Sequence, residues 1–206
     1  MRKIVFFGGG GFAKEVADVV LSNNCVLAGY FSPECGILDA EYLGKDNDYQ
    51  GSDDIEEYFP AIGSVSKDTH SNREIILNKL ETLSVNFCNV ISNNSTISKK
   101  AKIGKGVYIG PNVNIGPDVK IGNYAIIGAN SVLSHDVKIG RNVHIAPSST
   151  INGSVFIGNN VLIGSGAIIM QALRIGDSSI IGAGSAVFFD VKPNSTILPS
   201  FSRSKN

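Results

Sequence analysis

Residues 109–145 read IGPNVNIGPDVKIGNYAIIGANSVLSHDVKIGRNVHI. An isoleucine or leucine recurs at every sixth position: Ile109, Ile115, Ile121, Ile127, Leu133, Ile139 and Ile145. Followed outward, the register holds without a slip from Ile91 to Val187, seventeen positions that are all Ile, Leu or Val. These three types fill 54 of the 206 positions, so chance gives such a run on the order of once in ten billion. A helical period of 3.6 would smear the pattern within two repeats. The residue after each aliphatic is usually glycine, and the one four after it is small or β-branched, as in Val107, Val113, Val119, Ala125 and Ser131. Two inward side chains per six suit a short strand followed by a corner. Glycine there supplies either positive φ or close backbone approach. The segment predicts a parallel β-helix over residues 89–192 of about five to six coils, with 193–206 as a tail.

Stacking the residue before each aliphatic three hexads apart separates three outer columns. One is basic: Lys102, Lys120, Lys138, Phe156, Arg174. One is mixed: Asn114, Val132, Thr150, Ile168, Ala186. One is mainly apolar: Tyr108, Ile126, His144, Leu162, Ile180. An apolar stripe on an outer surface is costly to leave wet, so it is expected to be a self-association face, and a triangular prism suggests a homotrimer. The basic column reads as a solvated face.

Upstream, Lys3–Phe7 is a short apolar run, followed by Gly8–Gly11 and the helical pattern FAKEVADVVL. Strand, glycine turn and helix make the first βα unit of a nucleotide-binding fold, and Gly8-x-Gly10-x-x-Ala13 has the phosphate-fingerprint spacing. Glycines there let backbone N–H groups at a helix N-terminus approach a phosphate. The next strand ends in Ser32-Pro33, without the acidic residue that would hold a dinucleotide ribose, and residues 1–88 supply only one mononucleotide half. A Rossmann-like βαβ domain for a nucleotide-linked ligand is therefore expected over 1–88. Ser71–Glu74 is read as a helix-capping box, and His70 before it as a surface residue.

Formal net charge is zero, which argues against nucleic acid as a partner. The halves differ: 7 Lys/Arg against 14 Asp/Glu in residues 1–88, and 11 against 4 in 89–206. Three scattered cysteines form no disulfide framework and no zinc spacing, which fits a reducing cytoplasm. No run of about 18 apolar residues reads as a membrane span. Two separated histidines, His135 and His144, make no metal site. They lie within ten residues of each other, and a rigid coil would hold them in fixed geometry. The corner counterparts of His135 one coil away, Pro117 and Gly153, leave space beside the imidazole.

GGGGFAKEVAD (8–18), SHDVKIGRNVHIAPSSTINGSVFIGNNVLIGSGAII (134–169) and IIGAGSAVFFDV (180–191) together resemble one family. It is the hexapeptide-repeat acyltransferases of the sialic-acid O-acetyltransferase-like and nucleotide amino-sugar N-acetyltransferase type. The resemblance implies a left-handed β-helix and direct acyl transfer from coenzyme A, acetyl by default, to a sugar amine or hydroxyl. It implies His135 as general base with Asp136 beside it, and His144 against the CoA thioester. It places the pantetheine path along Gly164, Ser165, Gly182, Ala183 and Gly184. The diphosphate of a UDP- or dTDP-linked sugar would lie against Gly8, Gly10 and Gly11, with Phe12, Ser32 and Pro33 around it. Three departures stand out. Phe12 occupies the place of a histidine in several N-acetyltransferases, Ser32-Pro33 replaces an acidic pair, and LPSFSRSKN (198–206) replaces a GNPAR-like tail. The function expected is N-acylation of a nucleotide-linked 4-amino-4,6-dideoxy sugar in surface-glycan synthesis. Phe12 leaves sialic-acid-type O-acetylation as the alternative, and a non-catalytic scaffold or ligand sensor is a third possibility.

Overall fold

The structure, a computed structural model, describes residues 1–45, 48–49, 57–83 and 85–199. Strand β1 (Lys3–Phe7) is followed by helix α1 (Gly11–Ser22), β2 (Val26–Phe31), β3 (Tyr42–Gly44), β4 (Glu57–Pro60) and helix α2 (Lys67–Leu80). The four strands form one parallel sheet in the order β3-β2-β1-β4. Successive β1 side chains point to opposite sides of the sheet. Ile4 and Phe6 pack with Ala13, Val16 and Val20 of α1, whereas Val5 and Phe7 pack with Leu77 and Leu80 of α2. A helix on each face of a parallel sheet is the Rossmann-like unit read from the glycine turn.

Helix α2 begins earlier than the expected capping box. Ser66 is its N-cap: its hydroxyl accepts from the Thr69 N–H, and the Thr69 side chain closes the box. Ser71–Glu74 therefore lies inside the helix. With that start, His70, Arg73, Leu77 and Leu80 share one face, and all four are buried. The reading of His70 as a surface residue is thereby corrected.

From Val90 the chain winds into the left-handed β-helix. Two-residue strands stack into three parallel sheets with an 18-residue repeat, shortened to 16 at the last step, which run from Val90–Ile91 to Thr196–Ile197, from Thr96–Ile97 to Ala186–Val187, and from Lys102–Ile103 to Arg174–Ile175. Thr196–Ile197 pairs with Ile180–Ile181, so the coil runs on into the segment expected as a tail. The hexad aliphatics from Ile109 onward form its axial core. The two glycine roles separate cleanly. Positive φ falls three residues after the hexad aliphatic, at Asn112, Asp118, Asn130, Asp136, Asn142 and their equivalents, which are mostly Asn, Asp, Ser or Gly but include Tyr124 and Ala172. The glycine itself is needed for contact between coils: a Cβ on Gly164 would stand 2.4 Å from the Ala183 nitrogen.

The apolar column is not a free surface. Tyr108 and Ile126 are 2% and 1% exposed and belong to the same cluster as Phe6 and Val16, so the chain's own N-terminal half covers them. The expectation that this stripe mediates self-association is corrected: its apolar area is already removed from water inside one chain. On the mixed face, Val132 and Ile168 are 39% and 43% exposed.

Candidate active site

The two halves meet along α2 and the loop before it. The buried Arg73 guanidinium donates to the Ile62 and Tyr124 carbonyls at 2.6 and 2.9 Å, and to the Asn142 side chain. Asn142 Nδ2 donates to Asn160 Oδ1, and Asn160 Nδ2 donates to Glu74 Oε1 at 2.6 Å. A positive charge sunk among neutral oxygens costs desolvation, which lowers the Arg73 pKa to about 9. In return α2 is fixed against the coil.

Two cavities among the described residues adjoin this docking. One, about 770 Å³, is lined by Gly8–Phe12, Ser32, Pro33 and the loop 61–65, so it gathers all six residues expected to bind the sugar nucleotide. Gly8 cannot be replaced there: its φ is +117° and a Cβ would stand 2.5 Å from the Ala61 oxygen. Gly10 and Gly11, at the start of α1, have open space where a Cβ would be, so their backbone faces the cavity unobstructed. The second cavity, about 560 Å³, lies between α1, the loop 63–65 and the coil. His144, Gly164, Ser165, Gly182 and Ala183 line it, so every residue expected along the CoA path except Gly184 is brought together. Gly11, Phe12, Gly63, Ser64 and Val65 line both cavities, which are thus neighbouring compartments of one cleft. Phe12 stands between them, edge-on to Tyr108 with ring centroids 5.2 Å apart.

His144 lies within this intrachain junction, 9% exposed. Ser64 Oγ is 3.1 Å from His144 Nδ1 and 2.8 Å from His70 Nδ1. Burial, then the nearby Arg73 charge, lowers His144 to about 3 and His70 to about 4, so both are neutral at pH 7. Ser64 and His70 were missed by sequence reasoning. The signal was available in the 70-73-77-80 spacing once Ser66 is read as the cap.

His135 stands elsewhere. It occupies the corner that follows Val132–Leu133, its side chain 60% exposed, and it lines neither cavity. Its Nδ1 is 2.9 Å from Asp136 Oδ2, so the acid holds the ring and turns Nε2 away from itself. The ring lies over Gly153, where a Cβ would come within 2.6 Å of Nε2. One whole face of the coil separates this corner from the one carrying Gly164 and Ser165, on the order of 15–20 Å for six extended residues. Among the described residues no cluster of three or more His, Cys, Asp or Glu could hold a metal, and no helix is long and apolar enough to cross a membrane.

The bacterial transferase hexapeptide family (six repeats) matches residues 100–135, 118–153 and 154–188. Among solved structures this chain is similar to PerB from Caulobacter crescentus in complex with CoA and GDP-perosamine. The two are 25% identical, with a TM-score of 0.86 over 96% of this chain and 94% of that one. It is 26% identical to WeeI from Acinetobacter baumannii AYE, with a TM-score of 0.82 over 95% and 96% of the chains. The acetyltransferase domain of PglB from Neisseria gonorrhoeae FA1090 shares the fold, with a TM-score of 0.88 at 21% identity over 96% and 97%. A search of curated proteins by sequence found no match.

Proposed function

We propose that this protein transfers an acyl group, acetyl by default, from coenzyme A to the amine of a nucleotide-linked 4-amino-4,6-dideoxy sugar. The observation that carries the reading is the divided cleft. A glycine-lined nucleotide compartment adjoins a compartment lined by the coil corner Gly164-Ser165 and Ala183, and they meet at Phe12 and Ser64. The similar PerB carries CoA and GDP-perosamine together, which supports a two-substrate cleft. In this reading residues 1–88 hold the sugar nucleotide. Gly8, Gly10 and Gly11 meet its diphosphate, and Ser32 and Pro33 lie beside a uracil or thymine base. Residues 89–192 hold the thioester, with His144, Gly164, Ser165 and Ala183 along its arm.

Transfer is direct. The amine attacks the thioester carbonyl, His135, held by Asp136, takes the proton that the nitrogen must lose, and the C–S bond breaks as coenzyme A leaves as a thiolate that takes up a proton. Nothing in the cleft of one chain brings His135 to that carbonyl, because a full coil face intervenes. The site is therefore completed by a second copy. The mixed face, with Val132 and Ile168 exposed, is the surface that a homotrimer buries, and it brings the His135 corner of one copy to the cleft of the next. Both substrates are cytoplasmic metabolites, which agrees with free Cys25, Cys35 and Cys88. Phe12 keeps O-acetylation as the second reading, because an aromatic ring offers the sugar no polar contact.

Calorimetric titration with CoA, and with UDP-, dTDP- and GDP-linked amino sugars beside their hydroxyl analogues, tests the assignment. Binding of CoA and of one pyrimidine amino sugar is expected. Preference for the hydroxyl analogue would move the protein to O-acetylation, a guanine preference would overturn the base assignment, and no CoA binding would leave a scaffold.

A further inference from the structure

Ser64 bridges two imidazoles but has only one proton to give. It donates to one Nδ1 and accepts from the other, so the two histidines hold opposite tautomers. The direction follows from the far side of His70. Its Nδ1 is taken by Ser64, and its Nε2 is buried with no hydrogen bond of good geometry. The backbone carbonyls of Asn142 and Asn160 act on that ring, and a carbonyl faces an N–H, not a bare lone pair. His70 therefore carries its proton on Nε2 and accepts from the Ser64 hydroxyl at Nδ1. Ser64 Oγ in turn accepts from His144 Nδ1–H.

We propose that Ser64 and His70 are positioning residues that lock His144 in the Nδ1–H tautomer, so that a bare Nε2 faces the cleft and accepts a hydrogen bond from an N–H group of a bound substrate. The inference rests on the acyl-transfer reading for the identity of that group, either an amide N–H of the CoA arm or the amine of the sugar. It deepens that reading in one respect: His144 is an acceptor and cannot donate to a developing oxyanion. Backbone N–H groups of the glycine-lined wall are left for that task. Neutral imidazoles are required, and the lowered pKa values of both rings supply them.

The tautomer is read directly by long-range 15N–1H correlation spectra of the full-length protein, without substrate. Wild type should show His144 with its proton on Nδ1. Ser64→Ala and His70→Ala should shift it toward Nε2–H. Ser64→Thr keeps the hydroxyl, and His70→Asn places an amide oxygen where Nδ1 was, so both should restore the wild-type pattern. In acetyl-transfer assays Ser64→Ala should lose about tenfold in kcat/KM, and Ser64→Thr should recover it. A rise confined to the KM for acetyl-CoA assigns the N–H to the CoA arm, and one confined to the sugar nucleotide assigns it to the amine. A wild-type His144 carrying its proton on Nε2, or a pattern unmoved in Ser64→Ala and His70→Ala, overturns the proposal. The expected spectra with no acyl transfer to any sugar nucleotide would keep the relay and sink only the activity. If the alanine variants do not fold, the wild-type tautomer alone decides.

Discussion

At Gly153 the His135 ring rests on a hydrogen where every other residue has a carbon. Gly153→Ala would push the exposed imidazole off its seat without touching the core, because the atoms met are the far end of a side chain free to swing. Acyl transfer is expected to fall more than tenfold while the melting temperature stays within about 2 °C; unchanged turnover would mean that the seat is irrelevant. Asp136 has φ +60°, so the backbone and the carboxylate can be tested apart. Asp136→Asn keeps a residue that tolerates this conformation and should lower kcat alone. Asp136→Ala should also cost about 1 kcal/mol of stability in urea unfolding. The buried pair His70 and His144 sets an acid limit. Unfolded imidazoles take protons near 6.5, whereas the folded ones resist until about 4 and 3. Below 6.5 the unfolded chain binds protons that the native chain does not, so stability is full above that pH and falls as pH drops toward 4. Each histidine contributes on the order of 1.4 kcal/mol per pH unit. Urea unfolding near pH 7 and near pH 5 measures this, and His70→Asn should roughly halve the drop.

Helix α2 is the element on which the junction depends. Arg73 donates to two carbonyls and one amide oxygen at once, a pattern that the guanidinium fork can meet and a lysine cannot. Arg73→Lys should destabilise the protein by about 2–4 kcal/mol and release the helix from the coil. Hydrogen exchange should then rise in 67–80 but not in the coil core; uniform exchange across the chain would contradict the clamp. This element was also the least legible in the sequence. Its start depends on Ser66 and Thr69, which outcompete the nearer look-alike Ser71–Glu74, and misplacing it by one turn sent His70 to the surface. The hexads posed no such problem. Each inward coil position meets the same surroundings as the one six residues before, so pattern and environment coincide for the axial core from Ile91 to Val187. The glycine turn at Gly8–Gly11 was equally readable, because its local geometry alone decides it.

Across the whole molecule, legibility ends where separate parts meet. Tyr108, Ile126 and His144 look like an outer stripe when only the coil is considered. The N-terminal half covers them, and nothing local to the coil announces which of its faces will be covered. The residues expected around a sugar nucleotide come together in one cavity and those expected along a CoA arm, Gly184 apart, in the other, whereas the separation of His135 from both emerged only from the fold. If copies share the site, His135→Ala and His144→Ala should each be nearly inactive as pure proteins. Co-assembled at equal amounts they should recover about one quarter of wild-type activity, the fraction of interfaces that pair two intact residues. Recovery absent from a mixed oligomer would place both histidines outside a shared site. The central claim is tested most directly by following thiol release from acetyl-CoA in the presence of a nucleotide-linked 4-amino sugar, in wild type and in His135→Ala. Release should require the amino sugar and fall by about 10²–10⁴-fold in the variant at unchanged thermal stability. Full activity in His135→Ala, or thiol release indifferent to the amine, would contradict it.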